Sequence, residues 1–375
     1  MPEGSQPVRV VPVETRRELK TFINVPWDIY RDDPDWVPPL KMDMRNAFNP
    51  SKHPFHKHSE AQPFLALRGD VPVGRICAIR NRRHEEFHGE SVGFFGFFEC
   101  IDDQTVAHAL FDTVRDWLRE RGLEVMRGPT SFSTNEVAGL LIGGDPGPPF
   151  VMMPHNPSYY VDLLEAYGFG KAKDLLAWTL DNEEPEHLTR AESIVRRRNK
   201  VTVRTMDRSR YAEELEKVRT IYNAAWEKNW GFVPMNDDEI DFMADELKLV
   251  IEPQLALFME NAEGETIGFA LALPDFNQVL IKLDGRLFPF GLLKALWNKR
   301  KIDRMRVIIL GLLPEYRGKA LDVLLYLGLF RNALGIGITW GEMSWILEDN
   351  GPMNAAIERF GSRLFRTYRL YDIDV

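Results

Sequence analysis

Between Arg306 and Phe330 the sequence RVIILGLLPEYRGKALDVLLYLGLF passes from an apolar strand into Pro314, through a polar turn at Glu315–Lys319, and into a long apolar-faced helix that begins near Ala320. The first N–H groups of a helix have no carbonyl partner within it and carry the positive end of its dipole. A strand, turn and helix in this order, with Arg317 and Lys319 at the turn, can therefore hold a phosphate. The same residues also read as an ordinary strand-to-helix turn with two solvated cations. Leu312, Leu313, Arg317, Gly318, Lys319, Ala320, Leu321 and Asp322 are the residues that would line such a cradle.

A second segment has the chemistry of a surface. DGRLFPFGLLKALWNKRKIDRMR is strongly apolar from Leu287 to Trp297, with Phe288, Phe290, Leu292, Leu293, Leu296 and Trp297. Lys294, Lys299, Arg300, Lys301, Arg304 and Arg306 follow or interleave, opposed by Asp303 alone. An apolar, tryptophan-bearing helix beside a basic cluster has the composition of a segment that settles on anionic lipid. It equally suits a helix packed against a neighbouring domain with its cations solvated. The histidines suggest less: His53, His56 and His58 surround Pro54, which breaks helical spacing, and neither they nor His84 and His88 have a carboxylate or cysteine pattern to complete a metal site. No metal is expected.

The elements that must position these residues fall into two similar runs. The first reads as a strand at Val8–Val13, a helix at Thr15–Asn24, a proline-rich loop from Pro26, a hairpin of Phe64–Leu67 with Val73–Arg80, and a buried strand at Ser91–Cys100. A helix capped by Asp102 and Asp103 and stopped at Gly122, a strand at Leu123–Arg127, a helix near Tyr159–Tyr167 and a strand near Leu175–Leu180 complete it. Asn182–Pro185 is a polar break, and a charged helix at Glu186–Asn199 links the halves. The second run has a strand at Val201–Thr205, helices at Tyr211–Lys228 and Asp237–Val250, and strands at Leu255–Met259 and Ile267–Leu273. After the insertion come a strand at Arg306–Leu312, a helix at Leu321–Leu334, a strand at Ile338–Ile346, a helix at Pro352–Phe360 and a strand at Phe365–Tyr371. The expected organisation is an α/β (α+β) protein of two domains, 1–182 and 201–375, joined by a helix within 183–200 and carrying an insertion at 284–305. Each domain is a mixed, mostly antiparallel sheet flanked by helices.

With 375 residues and 44% hydrophobic content the chain can bury two cores. A formal net charge of −9 without a basic tail argues against nucleic acid as a partner. Cys77 and Cys100 alone do not make a disulfide framework, which fits a reducing compartment. No secretory signal and no apolar run of transmembrane length is visible, so the expected location is cytoplasmic, with any membrane contact peripheral.

The residues LLPEYRGKALD resemble the acyl-CoA loop of the GNAT superfamily, and the element order of the second half matches that family. PWDIYRDDPDWVPPL, FFGFFE, the Gly128–Pro129 loop and DLLAWTL extend the likeness to a bacterial group of tandem GNAT proteins that includes bacterial ceramide synthases. The resemblance implies an N-acyltransferase whose donor is acyl-CoA or acetyl-CoA and whose acceptor is an amine, with a long-chain sphingoid base as one acceptor. It implies that Ile308–Leu313 presents its backbone to the pantetheine arm while the following strand splays away. Two positions depart from the pattern: Ala320 replaces the second glycine and Asp322 replaces the last small residue, so the tightness and identity of the donor stay open. On the following strand Glu342, Ser344 and Ile346 share one face. Glu342 and Glu348 are the carboxylates nearest the implied reaction centre, and either could take a proton from the amine or be a surface or capping group. Asn350 stands where many family members turn an asparagine toward the donor, and is also a plausible helix cap. Tyr368 or Tyr371 could protonate the leaving thiolate or be a strand aromatic. The first half has the element order but an acidic turn at FFECIDDQTVAHAL. It is therefore expected to shape the acceptor site without binding CoA, with Asn135, Glu136, Tyr159 and Tyr160 as its contributors. A small-molecule or peptide N-acetyltransferase and a non-catalytic binding protein with a decayed donor site are the alternatives.

Overall fold

Strand Val92–Cys100 carries large apolar side chains on both faces, and a strand of that kind needs cover on both sides. The computed structural model describes residues 6–181, 186–226, 229–287 and 289–375 and supplies that cover. The polar break at Asn182–Pro185, the end of the helix expected to reach Lys228, and Phe288 lie outside the described residues. The chain divides into two compact units: Met1–Leu175 with Leu280–Leu292 and Thr367–Val375, and Leu176–Val279 with Leu293–Arg366. The C-terminal residues thus return to the first unit.

In the first unit β1 (Val8–Pro12), β2 (Glu60–Arg68), β3 (Val71–Arg80), β4 (Val92–Cys100) and β5 (Val125–Gly128) form a sheet that is antiparallel up to a parallel β4–β5 pair. Helix α1 (Arg16–Ile29) places Phe22 and Ile23 on one face with Phe94. Helices α2 (Lys41–Ala47) and α3 (Arg82–His88) are short. Helix α4 (Gln104–Arg119), capped by Asp103, covers the other face with Val106, Leu110 and Phe111 against Phe95. Beyond β6 (Thr130–Ser131), β7 (Val137–Ala138) and β8 (Leu140–Gly144), helix α5 (Tyr159–Tyr167) joins that second core.

Helix α1 continues through Pro26 to Ile29, where the sequence reading placed a loop. A proline inside a helix leaves the carbonyl four residues earlier without its usual donor. That carbonyl belongs to Phe22, and the buried Arg75 guanidinium donates to it at 2.9 Å. The proline is therefore tolerated because a side chain from β3 replaces the missing N–H.

Strand β9 (Gly170–Asp181) leads out of the first unit, and α6 (Glu186–Arg198) follows. The elements that follow are β10 (Thr202–Thr205), α7 (Tyr211–Trp226), α8 (Asp237–Leu247), β11 (Ala256–Glu260), β12 (Thr266–Pro274), α9 (Asn277–Leu280), α10 (Gly291–Lys299), β13 (Arg304–Leu312), α11 (Asp322–Gly335), β14 (Trp340–Leu347) and α12 (Gly351–Arg359), all in the second unit but for the last residue of α9 and the first two of α10. Strands β10 to β13 pair antiparallel in sequence order, and β13 pairs parallel with β14. Helix α11 buries Leu324, Leu325 and Leu329 against one face, while α7 and α8 lie against the other. The last strand, β15 (Arg363–Asp374), ends by pairing its residues Tyr371–Asp374 antiparallel with β5 inside the first unit. Among the described residues no helix is long and apolar enough to cross a membrane.

Candidate active site

A single extra residue organises the centre of the second unit. Leu271 of β12 faces Ile309 of β13, yet the next residue, Ala272, faces Val307, so Ile308 is a bulge. A bulge reverses the alternation of side chains along its strand and bends it. Before the bulge Val307 packs toward the α11 side, and beyond it Ile309 faces α7 and α8. The parallel ladder between β13 and β14 ends at the same place: it runs from Arg304–Trp340 to Val307–Met343 and no farther. Both strands continue, to Leu312 and Leu347, without pairing to each other. The result is a fork whose β13 limb leads directly into the Pro314–Asp322 turn.

That turn has the features of an anion cradle. Gly318 and Ala320 both adopt the left-handed backbone conformation, at φ of 74° and 56°. Among the described residues the N–H groups of Gly318 to Asp322 donate to no backbone carbonyl, and Leu321 at the start of α11 provides no side-chain cap. Successive unpaired amides at a helix start make a concavity for negative charge. Nothing lies near the position that a Cβ on Gly318 would take. Ala320 holds a conformation that costs a residue with a Cβ about 1 kcal/mol. Arg317 ties the turn down: its Nε donates to Leu312 O at 3.2 Å and its Nη2 to Ala225 O at 2.8 Å. Lys319 is exposed above the Tyr316 ring, 4.7 Å from its centroid. The Asp322 carboxyl sits at the first turn of α11, where desolvation raises its pKa and the neighbouring amides of Asp322 and Val323 oppose the rise. The Gly318–Leu321 amides could thus hold an anion, with Lys319 placing positive charge and Asp322 negative charge beside them.

The carboxylate at the fork is Glu342. It stands opposite Arg306 in the register, one residue before the strands part, and is fully buried. Ser344 Oγ donates to Glu342 Oε1 at 2.6 Å, and Arg306 Nε donates to Ser344 Oγ at 2.8 Å. Arg306 Nε is itself 4.0 Å from Glu342 Oε1, and the charge of buried Arg366 also reaches the carboxylate. Glu342 Oε2 is buried and has no hydrogen-bond partner among the described residues. Burial pushes the Glu342 pKa above the ordinary carboxylate value, against the pull of Arg306, the Ser344 hydroxyl and Arg366.

The other sequence-chosen residues are placed as follows. Glu348 is half-buried in the turn after β14, where its carbonyl accepts from Asn354 Nδ2. Asn350 caps α12, its Oδ1 accepting from Met353 N at 3.3 Å. Tyr368 is buried in the first unit. Tyr159 donates its hydroxyl to Cys100 O at 2.7 Å, and Tyr160 donates to Glu99 and accepts from Cys100 N, so both hydroxyls are engaged within the first core. Asn135 is half-buried in the loop between β6 and β7, its N–H donating to Ser133 Oγ.

Arg304 and Arg306 correct the sequence reading, which counted them among the surface cations of the insertion. Arg306 is 4% exposed and belongs to the Glu342 network, while Arg304 lies 3.6 Å from buried Asp275. Both fall on β13, which puts them inside the sheet. The roles of Arg306 and Ser344 were not foreseen; only the shared strand face of Glu342 and Ser344 hinted at one of them. Among the described residues no group of three or more histidine, cysteine or acidic side chains is placed to hold a metal.

No protein-family model matches the sequence. The chain is 37% identical to bacterial ceramide synthase of Caulobacter vibrioides over 97% of its own length and 96% of that protein's. It is 36% identical to protein YghO of Escherichia coli over 95% of its length and 93% of that protein's. Among solved structures it resembles a tandem GNAT protein from the clavulanic acid biosynthesis pathway, with a TM-score of 0.58, 12% identity and 98% of each chain covered. A GCN5-related N-acetyltransferase from Sphaerobacter thermophilus gives a TM-score of 0.53 at 12% identity, covering 98% of this chain and 95% of that one.

Proposed function

We propose, for a chain that belongs to the tandem GNAT-type N-acyltransferase family that includes bacterial ceramide synthase, that the donor is a long-chain acyl-CoA and the acceptor the primary amine of a long-chain sphingoid base. The observation that carries this reading is the β13–β14 fork opening next to the amides of Gly318–Leu321, which among the described residues donate to no backbone carbonyl, with Glu342 at its base. The amides of Gly318–Leu321 and the Lys319 ammonium hold the pyrophosphate. The unpaired edge of β13 as far as Leu312 and Leu313 receives the pantetheine. The neutral amine attacks the thioester carbonyl; a C–N bond forms, the C–S bond breaks, and the amine proton passes to Glu342 as general base. Glu348 is the second choice for that proton.

Thermal melts with CoA, acetyl-CoA and palmitoyl-CoA test the donor. A ligand that binds only the folded protein at a hundred times its Kd stabilises it by about 2.7 kcal/mol. Palmitoyl-CoA should raise the melting point most, and Arg317→Ala, which releases the turn from Leu312 and Ala225, should abolish most of the rise. A larger rise with acetyl-CoA would replace this reading by small-molecule or peptide acetylation, and no rise with any thioester would point to a carrier-protein donor or a binding protein.

The same reading brings the acceptor from a lipid surface through α10 and the cations that follow it, as far as Lys301. Helix α10 and the residue before it expose Phe290 by 73%, Leu293 by 67%, Leu296 by 60% and Trp297 by 74%, next to exposed Lys294, Lys299, Arg300 and Lys301. Exposed hydrocarbon beside cations suits the interface of an anionic bilayer. Co-sedimentation with phosphatidylglycerol vesicles should be strong, weaker with phosphatidylcholine alone, and lost in Leu293→Glu/Trp297→Glu; equal sedimentation of both proteins would refute the contact.

A further inference from the structure

The second unit contains an apolar cavity of about 60 Å³ between α7, α8 and the β12–β13 face of the sheet. Its sheet wall is Phe269, Leu271 and Ile309, and Met206, Met235 and Met243 line much of the rest. The polar groups around it are turned to partners: the Tyr211 hydroxyl donates to Ala244 O at 2.9 Å, and Arg219 pairs with Asp237 and Asp241. What remains is a hydrocarbon surface. Protein interiors are close-packed, and an apolar cavity stays dry and takes an apolar guest. Roughly 10–15 Å³ of such space accepts one water-sized group, so the cavity admits several. Methionine is unbranched with three rotatable bonds, so a wall with three of them can lengthen the space around a flexible guest.

We infer that this cavity is the entrance of a tunnel for the aliphatic chain of the acyl donor. The inference rests on the reading of the β13–β14 fork as the donor site. Its geometric ground is the bulge at Ile308, which turns Ile309 toward α7 and α8 on the stretch of β13 that has lost its β14 neighbour. A chain that leaves a thioester in the fork meets that face. A second apolar cavity, of about 50 Å³, lies on the α11 side against Met305, Val307, Gly341 and Met343. Those residues belong to the stretch where β13 and β14 are still hydrogen-bonded, and the closed ladder stands between that cavity and the fork. The α7–α8 cavity is therefore the one in line with the reacting carbonyl, and its occupant is a long alkyl chain rather than an acetyl group.

Two measurements on the full-length protein test this. In thermal melts palmitoyl-CoA should stabilise the wild type beyond CoA alone, and Met243→Trp, which fills the cavity, should lose that excess while keeping the rise due to CoA. An excess that persists in Met243→Trp overturns the inference. Loss of the CoA rise itself from the wild type is a different result, because it removes the donor site and not only its tunnel. Where Met243→Trp does not fold, photolabelling of the wild type with palmitoyl-CoA carrying a terminal diazirine decides. Label on the α7 and α8 residues or Ile309 is the expected outcome. Label confined to α11, Met343 or the solvent surface, or no label on the protein, refutes it.

Discussion

Glu342→Gln should slow amide formation by about 10²–10⁴-fold, because the substitution removes the proton acceptor while keeping a side chain of the same shape. Gln keeps the shape and the acceptor for the Ser344 hydroxyl, and it eliminates a charge whose second oxygen has no partner. The pH dependence carries a sign. Burial raises the folded-state pKa of Glu342 above its unfolded value, so the native protein holds its proton over a window in which the unfolded chain has lost it. Through that window the contribution of Glu342 to stability falls as pH rises, and the Gln variant lacks the fall. Activity moves the other way: a base must be ionised, so the wild-type rate rises with pH through a midpoint above the ordinary carboxylate range. Rates and melts from about pH 5 to pH 9 check both. An acylation rate within tenfold of wild type for Glu342→Gln would remove it as the base and turn attention to Glu348.

Much of this site was readable from the chain, for identifiable reasons. The cradle is local: Pro314, Gly318 and the apolar run after Ala320 announce a strand, a turn and a helix within about twenty residues, and local geometry follows from local sequence. The shared face of Glu342 and Ser344 follows from period two. What could not be read depends on contacts between segments far apart. The bulge at Ile308 leaves no mark in VIIL, because it exists only in the register of β13 against β12. Arg306 looked like one more cation in a basic run, and only its pairing opposite Glu342 in a parallel strand gives it another role. The continuation of α1 through Pro26 was hidden for the same reason, since the donor that makes it tolerable is Arg75, on a strand that begins forty-five residues later in the chain.

The return of the C-terminus to the first unit is a topological fact of this type as well. Phe365–Tyr371 reads correctly as a strand, but alternation along one segment says nothing about its partner, and Tyr371–Asp374 pairs with Val125–Gly128. Arg127 confirms that pairing chemically by holding Asp372 with two hydrogen bonds of 2.8 Å. Asn354, unremarked in the sequence, bonds Leu347 O and accepts from Trp178 Nε1, fixing the end of β14 to α12.

Arg306→Ala is expected to be the more destructive change at the fork, destabilising the fold by about 3–5 kcal/mol, since removing one partner of a buried ion pair leaves the other charge uncompensated. For a unit of this size that is a fall in melting point of about 6–20 °C. Three interactions vanish together: the hydrogen bond to Ser344 Oγ, that to Ser344 O, and the charge 4.0 Å from Glu342. Glu342 is then left with Arg366 as the cation acting on it, its raised pKa rises further, and protonation becomes the cheaper state. The defect should therefore shrink as pH falls and the carboxyl takes up a proton, so melts at about pH 5 and pH 8 should give a smaller difference from wild type at the lower value. Adding Glu342→Gln to Arg306→Ala should restore part of the lost stability, a coupling that a double-mutant cycle measures directly. If the two substitutions prove additive and the Arg306→Ala defect does not change with pH, the guanidinium acts by packing alone, and the electrostatic account of the fork, with the poised base that depends on it, is wrong.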